Sequence, residues 1–280
     1  MLETINYLIL GHITQDITPH GTVLGGTATY SALTAKALGH KVAVLTSTPN
    51  WLKLPQLNGI EIYRLPTEQC TTFENIQTSN GRKQHLHKLA RRIQKKDISQ
   101  NLLNADIVHL GPVAQEVKGD IIELFEHTFL CATPQGWMRA WDENGKVQHT
   151  EWKDAAMMLP KLNATVLSLE DVDGNESHIG EMVKSADILA VTEGLHGARV
   201  YWKGDVRSFR APQVVEVDAT GAGDIFAAVF FSRLQATQDP WQAGQLATQI
   251  ASLSVSRAGL AGIPQVEEIK SAMVEIVTGI

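Results

Sequence analysis

Short apolar runs alternate with helix-like segments along most of this chain, and that alternation narrows its fold more than any other feature. Tyr7 to Leu10 is an apolar run that stops at Gly11 and reads as a buried strand. A small-residue segment, Gly25 to Gly39, becomes helical from about Ala28 to Leu38, and Val42 to Thr46 reads as the next strand. Ile60 to Leu65 looks like a third. Asp106 to Leu110 and Phe129 to Thr133 read as strands on either side of the helix-like Lys118 to His127. Thr165 to Leu169, Ile188 to Thr192 and Arg199 to Trp202 continue the series, and Val214 to Val217 is strand-like. From Asp224 onward the pattern is mostly helical, through Phe231, Ala243 to Val255 and Val266 to Val277. Strand–helix alternation of this kind implies an α/β domain with a mostly parallel sheet and helices on both faces. No internal repeat or long linker divides the chain, so one domain over 1–280 is expected.

One segment breaks the alternation. Thr72 to Thr78 and Arg82 to Leu89 flank Ser79-Asn80-Gly81, and Asn-Gly between strand-like runs predicts a hairpin. It suits either a small lid or an edge of the main sheet.

The richest chemistry lies in Asp218-Ala-Thr220-Gly221-Ala222-Gly223-Asp224, where a strand-like segment gives way to a helix-like one. Glycines let backbone N–H groups approach an anion, and a helix N-terminus adds positive potential. A carboxylate at Asp224 could cap that helix or accept a proton from a hydroxyl beside the anion. An ordinary glycine turn with an Asp N-cap is the plainer reading of a lone Gly-x-Gly-Asp.

Composition removes other classes. The chain carries a net charge of −6, which argues against a nucleic-acid partner. Cys70 and Cys131 are far apart and form no Cys-x-x-Cys, so free thiols are expected rather than a structural metal. The first residues lack the basic segment of a signal peptide, and no apolar run nears the ~20 residues of a membrane span. A cytoplasmic protein without a membrane partner is expected. Gly11 is followed by His12 and Ile13, not by a dinucleotide-binding Gly-x-Gly-x-x-Gly, which counts against a nicotinamide oxidoreductase. No Gly-Lys-Ser/Thr is present, so the glycine turn is not a Walker A loop.

The string Asp218–Asp224 resembles the Asp-Thr-Gly-Ala-Gly-Asp motif of the ribokinase-like (PfkB) carbohydrate kinases. The resemblance implies a three-layer ribokinase-like fold with a β lid. It implies an anion hole at Gly221, Ala222 and Gly223, and a catalytic base at Asp224. Gly25-Gly26-Thr-Ala-Thr-Tyr30 resembles the family's glycine pair and helix beside the sugar site, although Tyr30 stands where sugar kinases often have Asn. Gly11-x-x-x-x-Asp16 resembles the family's first-strand motif, whose Asp binds substrate hydroxyls. An ionised carboxylate has the acceptor sites to take two hydroxyls. Only eight residues, Ile17 to Leu24, separate Asp16 from Gly25, so lid strands are not expected there and the acceptor site is expected to be open. The 72–89 hairpin would then form a reduced lid alone.

Further matches are less specific. Thr133-Pro-Gln-Gly-Trp-Met-Arg139 resembles a segment near the family's phosphate end, where Arg139 would steady a phosphoryl group or simply lie on the surface. Ser168-Leu-Glu170-Asp171 occupies the place of the family's Asn-x-x-Glu, with changed outer residues. Glu170 and Asp171 are candidates to orient hydrated Mg²⁺. Thr192-x-Gly194 with Gly197, together with Thr220, Ser252, Ser256 and Gly259, resembles the nucleotide-binding segments. The basic group Arg82, Lys83, Arg91, Arg92, Lys95 and Lys96 reads as a solvated face or a phosphate contact. The resemblance implies an ATP- and Mg²⁺-dependent kinase of a small sugar or polyol, leaning toward the inositol-kinase-like branch. It leaves room for a monovalent cation and for either a monomer or a homodimer. A nucleoside kinase of the same fold and a catalytically silent sugar- or nucleotide-binding regulator are the alternatives.

Overall fold

The computed structural model describes residues 5–78 and 81–273. Fifteen strands are present among them. β1 (Tyr7–Leu10), β2 (Thr14–Thr18), β3 (Gly21–Gly25), β4 (Val42–Ser47), β5 (Glu61–Leu65), β6 (Thr72–Thr78), β7 (Gly81–Lys88) and β8 (Ile107–Leu110) fill the first part of the chain. β9 (Phe129–Ala132), β10 (Arg139–Trp141), β11 (Val147–His149), β12 (Ala164–Ser168), β13 (Ile188–Thr192), β14 (Ala198–Trp202) and β15 (Asp205–Phe209) follow. The helices are α1 (Thr27–Ala37), α2 (Ala155–Met158), α3 (Glu176–Ser185), α4 (Ala222–Thr237), α5 (Pro240–Ser254) and α6 (Val266–Ala272). None is long and apolar enough to cross a membrane.

Nine strands form one sheet in the order β15-β14-β13-β12-β9-β8-β1-β4-β5. The run from β5 to β13 pairs in parallel; β14 and β15 add an antiparallel edge. The apolar runs are continuous because both faces of the sheet are covered. Tyr7 and Ile9 enter the core shared with α1, α4 and α5, whereas Leu8 and Leu10 enter the opposite core with Ile121, Met158 and Ile179. Helix α4 lies inside the first core, which is why Ile225 to Phe231 needs no polar stripe. The expected helix at 118–127 is a 3₁₀ segment, Gly119–Leu124.

From β1 the chain runs outward through β4 to β5, then returns to lay β8 on the other side of β1. The strand order therefore reverses between β1 and β8. Crevices of this kind, beyond the carboxyl ends of parallel strands, are where ligands bind in open α/β sheets. Gly11 and Gly111 follow β1 and β8 there, so close that a Cβ on Gly11 would lie 2.2 Å from the Gly111 carbonyl oxygen.

A second sheet of order β3-β2-β6-β7 stands over this edge. It corrects the expectation of a lone 72–89 hairpin. Strand β2 starts before Asp16 and β3 runs to Gly25, so the hairpin draws on residues outside the 17–24 interval. β2 then pairs in parallel with β6 at Gln15, Asp16 and Ile17. Asp16 consequently lies within a four-stranded lid, and the expectation of an open acceptor site is withdrawn. The β6–β7 ladder forms as the turn signal predicts, while Ser79 and Asn80 themselves lie outside the described residues, as does the Arg82 side chain. The β10–β11 hairpin braces the free side of β7: Leu86 N–H donates to the Gly145 carbonyl at 2.8 Å.

The strand expected at 214–217 is absent. Its valine alternation suits a strand, but β15 ends at Phe209 and among the described residues no strand pairs with 214–217. Val215 and Val217 are 82% and 62% exposed instead.

Candidate active site

Helix α4 opens at Gly221, whose φ of 80° is left-handed and favours glycine. The Tyr30 ring covers it so closely that a Cβ on Gly221 would lie 2.1 Å from the ring. Tyr30 itself is 3% exposed. It supports the glycine turn from within the core. The helical ladder starts with Ile225 N–H to the Gly221 carbonyl at 2.9 Å. Gly223 and Asp224 precede Ile225 in the first turn, where N–H groups have no carbonyl one turn back. A Cβ on Gly223 would meet nothing within 4 Å, so this position of the turn is uncrowded. Ala222 N–H instead turns back to the Ala219 carbonyl at 3.2 Å.

Asp224 stands at this turn. Burial pushes its carboxyl up to about 6, and the nearby carboxylates of Asp171 and Asp16 push the same way. A hydrogen bond from the Thr27 hydroxyl and the Arg139 charge oppose them. These mutual effects bring together residues separated by most of the chain. Asp16 comes from lid strand β2, Arg139 from β10, and Asp171 from the turn after β12. Gly25 is required beside Asp16, because a Cβ there would lie 2.3 Å from Asp16 Oδ2. Gly26 has a φ of 84° and is the N-cap of α1. The next residue, Thr27, packs on Gly111 and reaches Asp224.

Arg139 stacks its guanidinium over the lid residue Phe73, 5.5 Å from the ring centroid, and donates to the Val113 carbonyl at 3.1 Å. It thus sits where lid and core meet, beside two carboxylates. Asp171 is half-buried, and burial raises its carboxyl above the ordinary range, against lowering by the Ser168 N–H, Arg139, Gln135 and His149. Its oxygens accept from Ser168 N–H at 2.9 Å and Gln135 Nε2 at 3.1 Å, while Glu170 is exposed. Among the described residues no group of three His, Cys, Asp or Glu side chains could hold a metal ion by itself.

The residues matched to nucleotide binding lie along one path from β13 to the end of α5. Thr192 closes β13, and Gly194 follows in a turn with open space at its Cβ position. Gly197 packs on the segment after β15, where a Cβ would lie 1.9 Å from the Phe209 carbonyl oxygen. That segment continues to Val217 and Asp218, whose N–H groups both donate to the Val255 carbonyl. Asp218 clamps two loops, accepting from Thr220 N–H at 2.9 Å and Gly259 N–H at 2.8 Å. The hydroxyls of Ser252 and Ser256 donate to their own helix carbonyls, Thr248 and Leu253.

Residues 90–266, more than half of the chain, match the pfkB family of carbohydrate kinases. The chain belongs to this family. Among curated proteins, an inositol 3-kinase of Zea mays is 31% identical over 153 residues, covering 54% of this chain and 39% of that protein. The matched part thus spans well under half of the relative's length. Among solved structures, a pyrophosphate-dependent kinase of the ribokinase family, complexed with a pyrophosphate analogue and myo-inositol, is 21% identical with a TM-score of 0.80. The match covers 95% of this chain and 99% of that one. A ribokinase of Arabidopsis thaliana complexed with ribose and ATP is 13% identical with a TM-score of 0.71, covering 96% and 99%. These likenesses establish the ribokinase-like fold of this pfkB chain.

Several site residues carried no signal in the sequence. Thr27 lies inside a motif but only contact reveals its bond to Asp224. Gln135 reaches Asp171 from a separate loop. Glu116, buried, accepts from His12, Val113 and Ala114 N–H groups at 2.7–3.0 Å and so fixes the loop on which Arg139 rests. Burial of a carboxylate in a nest of N–H donors depends on tertiary contacts that no local pattern announces.

Proposed function

We propose that this protein transfers the γ-phosphoryl group of ATP to a hydroxyl of a small polyol, with an inositol as the first acceptor to test. The observation that carries this reading is the raised Asp224 carboxyl at the start of α4, flanked by Asp16 and Arg139 at the switch point of the sheet. Asp16, from the lid, orients the acceptor by accepting hydrogen bonds from neighbouring hydroxyls. The acceptor oxygen attacks the γ-phosphorus, its proton passes to an Asp224 carboxylate oxygen, and the bond from the γ-phosphorus to the ADP oxygen breaks. The N–H groups of Gly223 and Asp224 receive the transferring phosphoryl oxygens, and Arg139 adds positive charge. The lid limits competing attack by water.

ATP is favoured over pyrophosphate by the surface beside this turn. Leu195, Val215 and Val217, in the segments between β13 and α5, are 75%, 82% and 62% exposed, and such apolar side chains suit packing on a nucleobase. Thr192, Gly194, Gly197, Thr220, Ser252, Ser256 and Gly259 are assigned to the same nucleotide path. Mg²⁺, when bound, neutralises phosphate charge; the nucleotide supplies its main ligands, and Glu170 and Asp171 are suited to hold its waters.

The test is a turnover panel of myo-inositol, other polyols, pentoses and nucleosides, each with ATP or pyrophosphate. A polyol phosphorylated with ATP supports the reading. Turnover with pyrophosphate alone refutes the donor assignment, and turnover of nucleosides alone refutes the acceptor class.

A further inference from the structure

The chain passes between core and lid at four places: residues 11–14 and 70–72 lead in, and residues 25–26 and 88–91 lead back. All four meet at His12, which is fully buried. Its Nε2 lies 2.9 Å from the Arg91 carbonyl oxygen, and its Nδ1 lies 2.7 Å from Thr71 Oγ1. A carbonyl can only accept, so Nε2 carries the proton and Nδ1 is the acceptor. Thr71 must then donate to Nδ1, and its oxygen accepts from Ala90 N–H at 3.0 Å. The polarity of the whole chain is fixed: Ala90 N–H to Thr71, Thr71 O–H to His12, His12 N–H to Arg91. The backbone of His12 completes the junction. Its N–H donates to buried Glu116 at 2.9 Å, and its carbonyl oxygen would lie 2.8 Å from a Cβ on Gly26. Burial lowers the imidazole's proton affinity, in keeping with this neutral tautomer.

We infer that His12 is a positioning residue that latches the lid to the core. It is neither a ligand of the substrate nor a general base. Asp16 lies four residues beyond it on β2, and Thr27, which reaches Asp224, follows Gly26 on the return crossing. The latch therefore sets the position of the acceptor-binding carboxylate relative to the base. This role rests on the polyol-kinase reading for its kinetic consequence, and on the lid geometry alone for its dynamic one.

Two comparisons test it on the full chain. His12→Phe keeps a flat ring but removes both side-chain bonds, and Thr71→Val removes one partner at nearly constant volume. The expected kinetic result is an acceptor KM raised about tenfold or more, the scale of two lost neutral hydrogen bonds, with donor KM unchanged. His12→Gln, whose Nε2 can still reach the Arg91 carbonyl, should recover part of that loss. The double variant His12→Phe/Thr71→Val should be no worse than His12→Phe alone, because both break one chain. Amide hydrogen exchange should accelerate in 14–25 and 72–76 while β1 and β8 stay protected. Exchange that is unchanged in the lid, or equally raised in β1 and β8, overturns the latch. The exchange measurement needs no substrate, so a wild-type protein that phosphorylates no polyol would count against the proposed function and still leave the latch decided. If His12→Phe does not fold, the milder Thr71→Val carries the same comparisons.

Discussion

On the proposed reading, Asp224 is the general base, and burial raises its carboxyl to about 6. A general base must be ionised, so turnover should rise with pH through about 6, the value to which burial raises this group. Replacing Arg139 by Met removes a charge that lowers the Asp224 proton affinity, so the acid limb of the pH–rate profile should move to higher pH. An unmoved limb would separate Arg139 from Asp224. The same shift has a consequence for stability. The Asp224 carboxyl holds its proton more tightly in the folded chain than in the unfolded one. Stability therefore falls as pH rises from about 4 to about 6, and the penalty persists above that window. Asp224→Asn should melt above the wild type at pH 8, and this advantage should vanish below pH 4. Thermal melts of both proteins across that range provide the check. The two glycines of the turn should also part company. Gly221→Ala forces a Cβ into Tyr30 at a left-handed φ and should lower the melting temperature. Gly223→Val has open space within the protein and should melt normally, but on the proposed reading its side chain crowds the phosphate cradle and should lower turnover.

At the scale of elements, the lid depends on contacts that cross long stretches of sequence. The β10–β11 hairpin supports β7 through Gly145, which has a φ of 81° and would carry a Cβ 2.4 Å from the Leu86 carbonyl oxygen. Gly145→Val should loosen that brace, raise the acceptor KM and increase ATP hydrolysis without acceptor. A variant with unchanged hydrolysis would show that the brace does not govern water exclusion. The same long-range dependence explains what could be read in the sequence. The parallel strands and β14 of the main sheet were legible, the inner ones because an apolar run buried on both faces leaves a local pattern, whereas the mostly exposed β15 was not. The β6–β7 hairpin was legible from its turn. β2 and β3 were not, because Thr-Gln-Asp-Ile-Thr has no apolar alternation, and besides β3 its partner is the parallel strand β6, more than fifty residues away. Val214 to Val217 failed in the opposite direction: a strand pattern without a neighbouring strand stays exposed. The glycine–carboxylate string marked the site from composition and position alone, whereas Thr27, Gln135 and Glu116 became visible only through contacts.

For the molecule as a whole, the reversal of strand order between β1 and β8 gathers residues from the lid, the β9–β10 connection, the β12 turn and the start of α4 at one edge. Ligands that complete this edge bind the folded chain and not the unfolded one, so they must raise its stability. A non-hydrolysable ATP analogue and myo-inositol together should raise the melting temperature more than either alone if the lid joins both sites. The central claim is that Asp224 accepts the proton of an attacking polyol hydroxyl. Its most direct test is steady-state kinetics of Asp224→Asn with ATP and the best acceptor from the panel. The prediction is a kcat lower by roughly two to four orders of magnitude, the usual contribution of a general base, with the melting-temperature rise on adding the ATP analogue retained. A near-normal kcat in that variant would contradict the account.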